Sequence, residues 1–359
     1  MKSVGNIASD SEVVATASGA IVAGKPVVVN ADGTVGGTST TISAGIGSEV
    51  TFESAGARPE HGTFDSNSNK VVVTYSDQGN SGYGTAIIGT IDDSDNSISF
   101  GTAVVFESAY TDAIAAVFDS SNNKVVISYR DGGNSYYGTS IVGTVSGTSI
   151  SFGTSATFWA NANMQDHISA SFDTNVNKVL ITFAKVGNDG VAIAGTVSGT
   201  DITFGSDVTF ETGQCRFIST AFDNNSNTHV VVYTDHANSQ YGTACVLSVA
   251  SNSTVTAQTP VVWESAETSA QDIAFDTTNN KFLIVFRQVG SSGRGTAIVG
   301  TVSGTSLSFG TKNDWNSVNT LDPRTAFNDA SGTFVILYDE SSGTDVKYIE
   351  ATISGTSVT

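Results

Sequence analysis

The apolar and polar positions of this chain repeat about every fifty residues. A phenylalanine followed by Asp, a short polar stretch, Lys and an apolar run recurs at intervals of 54, 54, 50, 53 and 52 residues. The six copies begin at Phe64, Phe118, Phe172, Phe222, Phe275 and Phe327. A period of this length is typical of repeat architectures, in which each copy forms one supersecondary unit. The pattern therefore predicts six related units.

Each period contains four segments with the character of β-strands. In the second period they are residues 113–118 (A), 124–129 (B), 137–145 (C) and 148–158 (D). Segment B is almost entirely apolar, which indicates a strand covered on both faces. The polar link between A and B is rich in Asp and Asn, which favour tight turns. Four-stranded antiparallel sheets covered by copies of themselves predict an all-β fold, the β-propeller.

The two ends of the chain predict how such a ring closes. The last period has A (325–327), B (333–338) and C (346–353) but ends where D is expected. The segment from Val50 to Ala55 matches the D segment from Val104 to Ala109, with no A, B or C before it. We therefore expect residues 49–54 to supply the missing strand of a six-bladed propeller formed by residues 40–359. Residues 1–39 predict a small β-hairpin arm for attachment, with strands at 13–17 and 25–30, and a linker.

Composition excludes several classes of partner. Only 14% of the residues are charged, yet the formal net charge is −19. Such a chain is repelled by nucleic acid and by anionic membrane surfaces. No apolar stretch approaches the roughly 18 residues that a membrane-spanning helix needs. We expect no nucleic-acid binding and no membrane insertion, and the first residues lack the apolar core of a secretory signal.

Arginine and aromatic residues predict a recognition surface on one face. All six arginines fall in or beside the D–A and B–C connections, whereas the repeated lysines follow the A–B turns, on the opposite face. Arginine and aromatic side chains are common interface anchors. The predicted ligand- or receptor-binding face contains Arg58, His61, Arg130, Tyr136, Arg216, His236, Arg287, Arg294 and Arg324. The alternative is that these are exposed loop charges, paired with Asp77, Asp131 or Asp235.

The sequence favours no catalytic site, metal site or cofactor. The repeated aspartates, such as Asp119, have calcium-like spacing but lack the glycine and distal glutamate of an EF-hand, so turn capping is the preferred interpretation. Neither a Gly-x-Ser-x-Gly nor a His-Glu-x-x-His motif occurs. Sialidase Asp-box phrases are also missing, which leaves a sialidase-like glycan hydrolase as an outlying possibility. Cys215 and Cys245 lie about two strand spacings apart, so two free buried thiols are expected.

Two segments of the chain are similar to proteins of tailed bacteriophages. The phrase Ser-Gly-Thr-Ser-Ile-Ser-Phe-Gly-Thr (146–154), together with Phe-Asp-x-x-x-Asn-Lys, resembles propeller-repeat virion proteins. Residues 17–29 resemble the small β modules at the start of capsid-decorating and tail proteins. This resemblance implies a non-enzymatic structural protein of the virion: a tail fibre, a tail component or a capsid decoration.

The same resemblance implies the partners. The arm would contact other virion proteins, the chain would form a homo-oligomer in the particle, and the propeller would meet a host surface glycan or receptor. The protein would be made in the host cytoplasm and act in the extracellular particle. The alternative function is a carbohydrate-binding or adhesin-type propeller module. Both functions remain open from the sequence, and they are compatible with each other.

Overall fold

The structure is a computed structural model that describes residues 27–29, 35–37, 47–92, 94–162, 164–165, 167–341 and 346–359. It contains two compact units, one formed by Met1–Val50 and Ile91–Ile98 and the other by Thr51–Thr90 and Ser99–Thr359. The predicted arm strand at 13–17 lies outside the described residues, as does most of the linker. In the first unit, Val27–Val29 pairs antiparallel with Val35–Gly37.

The second unit consists of six successive antiparallel sheets that follow the sequence repeat. Strand A spans Ala57–Asp65, the second half of Val104–Asp119, Ile168–Asp173, Cys215–Asp223, the second half of Val261–Asp276, and Thr320–Asn328. Strand B spans Lys70–Asp77, Lys124–Asp131, Lys178–Ala184, Thr228–Asp235, Lys281–Gln288 and Thr333–Glu340. Strand C spans Tyr83–Asp92, Tyr137–Ser146, Gly190–Ser198, Tyr241–Val249, Arg294–Ser303 and Val346–Ala351.

Strand D consists of two short pieces, both paired with strand C, rather than the single strand that the sequence predicts. The first piece spans Ser97–Phe100, Ser149–Phe152, Asp201–Phe204, Val255–Ala257 and Ser306–Phe309. The second spans Ala156–Trp159, Val208–Glu211, Asn313–Asp314 and the first halves of Val104–Asp119 and Val261–Asp276. After the last strand C, Ile353–Ser354 pairs with Ser357–Val358. The B–C links of the described chain include 3-10 turns at Gln78–Asn80, Gly132–Asn134, His236–Asn238 and Val289–Ser291.

The repeated aspartates close the A–B turns. Asp119 Oδ1 accepts hydrogen bonds from the backbone N–H groups of Ser121 (3.0 Å) and Asn122 (3.0 Å). Asn123 then adopts the left-handed conformation, with φ of 51°, which asparagine tolerates well. The same Oδ1 contacts recur at Asp65, Asp173, Asp223 and Asp276. The predicted turn-capping role of these aspartates is confirmed.

An aromatic residue from the second D piece joins each repeat to the next. Phe106 lies over Gly84 of its own strand C, where even a Cβ atom would overlap its ring. The same ring packs on Tyr129 of the next repeat, with centroids 5.2 Å apart. Equivalent ring pairs are Phe158–Phe183 (5.2 Å), Phe210–Tyr233 (5.4 Å), Trp263–Phe286 (4.7 Å) and Trp315–Tyr338 (5.8 Å). Burial of these rings makes adjacent repeats mutually dependent.

The structure does not contain the closing strand that the sequence predicts. Residues 47–56 form no β-strand, and within the described chain Val346–Ala351 pairs with Thr333–Glu340. The length of the second D piece varies among the repeats, and in repeat 5 it is only the two-residue Asn313–Asp314. What the segment keeps is its aromatic contact, since Phe52 packs on Tyr75 with centroids 5.3 Å apart.

The two cysteines occupy the places that the sequence predicts. Both are buried and free, and strand B lies between them, because Cys215 pairs with Asp235 and Cys245 with Val231. Burial raises the pKa of Cys245 to about 12, so this thiol stays protonated at neutral pH. None of the helices in the described part of the chain has the length and apolar character needed to span a membrane.

Candidate functional site

The A strands of all six repeats line one cavity of about 750 Å³. A single register position recurs around it, three residues before each repeated phenylalanine and opposite the same position of strand B. The residues at this position are His61, Ala115, Ser169, Ser219, Asp272 and Arg324. Five of these residues line the cavity, and in repeat 2 the preceding pair, Ala113 and Ile114, does so instead. We call this set the ring position.

Bulges in the A strands aim these side chains inward. The pairing register shifts immediately before the ring position in five repeats, at Pro59/His61, Asp112/Ala115, Arg216/Ser219, Ser269/Asp272 and Leu321/Arg324. Four non-glycine residues at these bulges have left-handed backbones: Ala113 (48°), Phe217 (50°), Ala270 (51°) and Asp322 (40°). Bulges of this kind re-aim side chains beside binding sites. Three of these four residues line the cavity, Asp322 being the exception.

Asp272 is the most firmly held polar group of the cavity. Its Oδ1 accepts the hydroxyl proton of Ser219 at 2.7 Å, and its Oδ2 accepts the backbone N–H of Thr325 at 2.9 Å. These two partners belong to repeats 4 and 6, so the carboxylate of repeat 5 is fixed from both neighbours. Each oxygen keeps a further lone pair that a ligand hydroxyl can use.

His61 is the neutral member of the set. Burial lowers its pKa, the negative charge of Asp272 opposes that effect, and the positive charge of Arg324 adds to it. Its buried Nδ1 atom has no hydrogen-bond partner. At neutral pH the imidazole is therefore uncharged beside one fixed carboxylate and one guanidinium.

The remaining wall of the cavity is largely apolar. His167 and Phe217 stack obliquely, with ring centroids 5.4 Å apart, and Ile114, Ile168 and Ile218 lie beside them. Small-molecule sites commonly combine such apolar walls with a few placed polar groups. The cavity thus has a polar side from repeats 4, 5, 6 and 1 and an apolar side from repeats 2, 3 and 4.

The structure divides the predicted recognition face between this cavity and local pairs. His61 and Arg324 line the cavity, whereas Arg130, Arg287 and Arg294 do not. The Arg130 guanidinium donates to Asp112 through Nε (2.6 Å) and Nη2 (2.6 Å) and lies over the Tyr136 ring, 5.1 Å from its centroid.

The other two arginines of the B–C connections also have local partners. Arg287 Nε donates to Asn319 Oδ1 at 2.9 Å. Arg294 makes an exposed pair with Asp314 at 3.3 Å. The aspartates that the sequence offered as alternative partners instead accept backbone N–H groups of the 3-10 turns, as Asp131 does from Gly133.

Of the last three predicted residues, Arg58 and Arg216 lie at the start of strand A, beside the D–A connections, and His236 lies in a B–C turn. Arg216 is beside the Gln214 carboxamide, whose oxygen accepts from Nε (3.1 Å) and Nη2 (2.9 Å) in the amide orientation that satisfies both groups. Burial and the charge of Arg216 lower the pKa of His236. Arg58 is close enough to Tyr110 for its charge to act on the phenol pKa. These groups do not converge on the cavity.

A second polar cluster is buried between repeats 3 and 4. His229 Nδ1 shares a proton with the Ser171 hydroxyl at 2.7 Å, and its Nε2 lies 3.5 Å from Asp173 Oδ2. The residue types match a nucleophilic triad, but the three side chains are at most 6% exposed. The Ser171 hydroxyl is therefore closed off from solvent, and the cluster links the two repeats.

Among the residues that the structure describes, no group of three or more His, Cys, Asp or Glu side chains could hold a metal ion.

Comparison with known proteins identifies the fold. No protein-family model and no curated protein matches the sequence. A protein of Lactobacillus plantarum is similar in structure, with a TM-score of 0.57 and 11% identity over 84% of this chain and 83% of its own. The BP39L lectin of Burkholderia pseudomallei has a TM-score of 0.60 and 10% identity over 80% of this chain and 79% of its own. The chain therefore has an all-β, β-propeller-like fold.

Proposed function

We propose that this chain is a carbohydrate-binding propeller whose binding site is the cavity on the A strands. The observation that carries the proposal is the ring position, where five of the six equivalent residues line a common space and include a histidine, two serines, an aspartate and an arginine. A position with a purely structural role keeps similar residues in every repeat, as the capping aspartates do. Divergence at a cavity wall instead suits a ligand that has no sixfold symmetry.

The finer architecture that we propose is a closed ring of six blades. The charges of Asp272 in repeat 5 and Arg324 in repeat 6 both act on His61 in repeat 1, which is the proximity that closure requires. Phe52 supports the same arrangement, because it meets Tyr75 as Phe106 meets Tyr129. The segment before repeat 1 would then take the place of the outer strand of the last blade, by side-chain packing rather than by a hydrogen-bonded ladder.

Three properties of the cavity support carbohydrate as the ligand class. Its volume of about 750 Å³ lies within the range of small-molecule sites. Asp272 and Ser219 offer fixed hydrogen-bonding groups for hydroxyls, and the wall of Phe217 and isoleucines offers an apolar surface for a sugar ring. A structural neighbour is a lectin, which agrees with this class but does not identify the sugar.

The test is glycan binding by the full chain and by two matched variants. Asp272→Asn keeps an oxygen for the Thr325 N–H, while its amide can donate to Ser219, so folding is expected to persist. We expect glycan affinity to fall on the order of tenfold or more, because a charged hydrogen-bond acceptor is lost. Asp314→Asn, outside the cavity, is the control and should bind as the wild type does. Absence of glycan binding by the folded wild type contradicts the proposal.

A virion role stays a second proposal. It rests on the resemblance of residues 146–154 and 17–29 to phage proteins, and the structural neighbours carry no information about it. The same holds for the predicted arm contacts, homo-oligomer, extracellular location and lack of enzymatic activity. Mass spectrometry of purified phage particles tests it directly: the polypeptide is expected among virion proteins, and its absence from particles contradicts the role.

A further inference from the structure

The two charged residues of the ring position, Asp272 and Arg324, lie together with His61 on one side of the cavity. Asp272, Arg324 and His61 belong to repeats 5, 6 and 1, which are successive in the proposed closed ring, and Ser219 of repeat 4 precedes them. The two remaining positions carry the small residues Ala115 and Ser169. The cavity therefore has a polarised side with one negative group and one positive group next to each other.

We propose that the ligand of this cavity is a sugar that carries a carboxylate, bound through Arg324 to its carboxylate and through Asp272 and Ser219 to its hydroxyls. This inference rests on the proposed carbohydrate-binding function and names the class of sugar.

Arg324 is suited to this role because no described carboxylate forms an ion pair with it. Its side chain is exposed in the cavity, and Nη1 donates to the Pro323 carbonyl at 3.0 Å. Among the described residues it has no carboxylate within ion-pair distance, whereas Arg130 and Arg294 are paired with Asp112 and Asp314. A guanidinium presents two parallel donors that match a carboxylate, and such bonds are among the strongest hydrogen bonds in proteins.

Asp272 determines how such a ligand is oriented. A ligand carboxylate is repelled by the fixed carboxylate of Asp272, while ligand hydroxyls can donate to it. The neutral imidazole of His61 adds no second positive charge that would bind simple anions indiscriminately. A sugar acid satisfies both neighbours at once, because it carries an anion and hydroxyl donors on one ring.

A neutral sugar leaves this arrangement incomplete. It can donate to Asp272 and pack on Phe217, but it offers Arg324 no anion. Loss of a hydrogen bond between charged groups corresponds to a weakening on the order of 10- to 100-fold. The proposal therefore predicts discrimination between an acidic sugar and its ester, which differ in charge but hardly in shape.

The experiment compares two acidic glycans, a galacturonic acid trimer and sialyllactose, with their methyl esters by calorimetry on the full chain. At least one acid is expected to bind on the order of 10- to 100-fold more tightly than its ester. Arg324→Gln should bring the acid down to the affinity of the ester, while Arg324→Lys should keep part of the preference. Arg294→Gln, an arginine outside the cavity, is the control and should retain the full preference.

The outcomes separate this inference from the proposed function. Equal affinity for acids and esters in the wild type, or an acid preference that survives Arg324→Gln, overturns the acidic-sugar inference. If neutral glycans then bind and lose affinity in Asp272→Asn, the carbohydrate-binding function stands without it. If no glycan binds, both fail. Melting temperatures of all variants establish that each is folded. If Arg324→Gln does not fold, the acid preference of Arg324→Lys is compared with that of the wild type instead.

Discussion

His229 stands where the other repeats carry Val71, Val125, Val179, Phe282 and Phe334. It is fully buried, and burial lowers its pKa although Asp173 opposes the shift. Below the ordinary histidine value of 6.5 the unfolded chain binds a proton that the folded chain excludes. The free energy of unfolding therefore falls as pH drops below about 6.5 and is unaffected by this group above about 7.5.

We predict that His229→Phe reduces the acid sensitivity of the fold. Between pH 6.5 and 5.5 one such histidine contributes up to about 1 kcal/mol of lost stability. Urea unfolding at pH 7.5, 6.5 and 5.5 measures the effect, and the variant should lose less stability than the wild type over this range. His61 and His236, whose pKa values are also lowered, leave some acid sensitivity in the variant. An unchanged pH slope would mean that His229 is not excluded from protonation.

At the same scale, the sequence predicted the turn residues but only part of the cavity. The roles of Asp119 and Asn123 were predictable because the interactions that form the turn involve only the five residues 119–123. Asp272 and Ser219 were not, because a β-bulge just before them shifts the alternation by which inward and outward side chains are counted. The available signal was the alignment of the repeats, because the position three residues before each Phe carries five different residue types in six repeats.

The aromatic residue that connects neighbouring repeats packs over a glycine on strand C. A Cβ atom at Gly295 would overlap the indole ring of Trp315, whereas a Cβ at Gly300, on the same strand Arg294–Ser303, meets Phe309 at 3.5 Å. The first position has no space for a methyl group, and the second has an ordinary van der Waals distance.

We predict that Gly295→Ala destabilises the protein by about 1–3 kcal/mol through overpacking. Gly300→Ala, the control on the same strand, should change stability by less than about 1 kcal/mol. Thermal unfolding of both variants measures the difference. Equal melting temperatures would show that the indole moves aside freely and that the interlock is not tight.

The strand order within a repeat was predictable, whereas the division of strand D was not. Gly153 falls between Ser149–Phe152 and Ala156–Trp159, and a Cβ there would overlap the Thr200 carbonyl of the next repeat. Strand D is therefore interrupted at the point where its backbone touches the next repeat. A period identifies equivalent residues, but it does not reveal which of them touch another copy.

At the scale of the whole molecule, Phe52 forms the contact by which the proposed ring closes onto repeat 1. Its ring packs on Tyr75 and also on Phe100, with centroids 5.5 Å apart in the second pair. We predict that Phe52→Ala lowers the stability of the entire propeller by about 2–4 kcal/mol, somewhat less than a fully buried phenylalanine. Val50→Ala, at a side chain that is 41% exposed, is the control and should have little effect.

Circular dichroism during urea unfolding measures this prediction, with Phe106→Ala as the reference for an internal contact. A single transition shifted to lower urea is expected for both phenylalanine variants. If Phe52→Ala unfolds as the wild type does, the segment before repeat 1 contributes nothing to the ring, and closure must rest on repeats 1 and 6 alone.

The ring position has a consequence for protein engineering. Five of its six residues line the same cavity from one backbone register and one neighbouring position on strand B, so these five sites direct their side chains into the same space. Exchanging side chains among these sites, for example placing the guanidinium at 61 and the imidazole at 324, moves the positive charge along the cavity wall without altering any turn or any aromatic contact between repeats. The fold thus provides equivalent positions around one cavity, at which the binding specificity can be changed by permuting residues that the chain already contains.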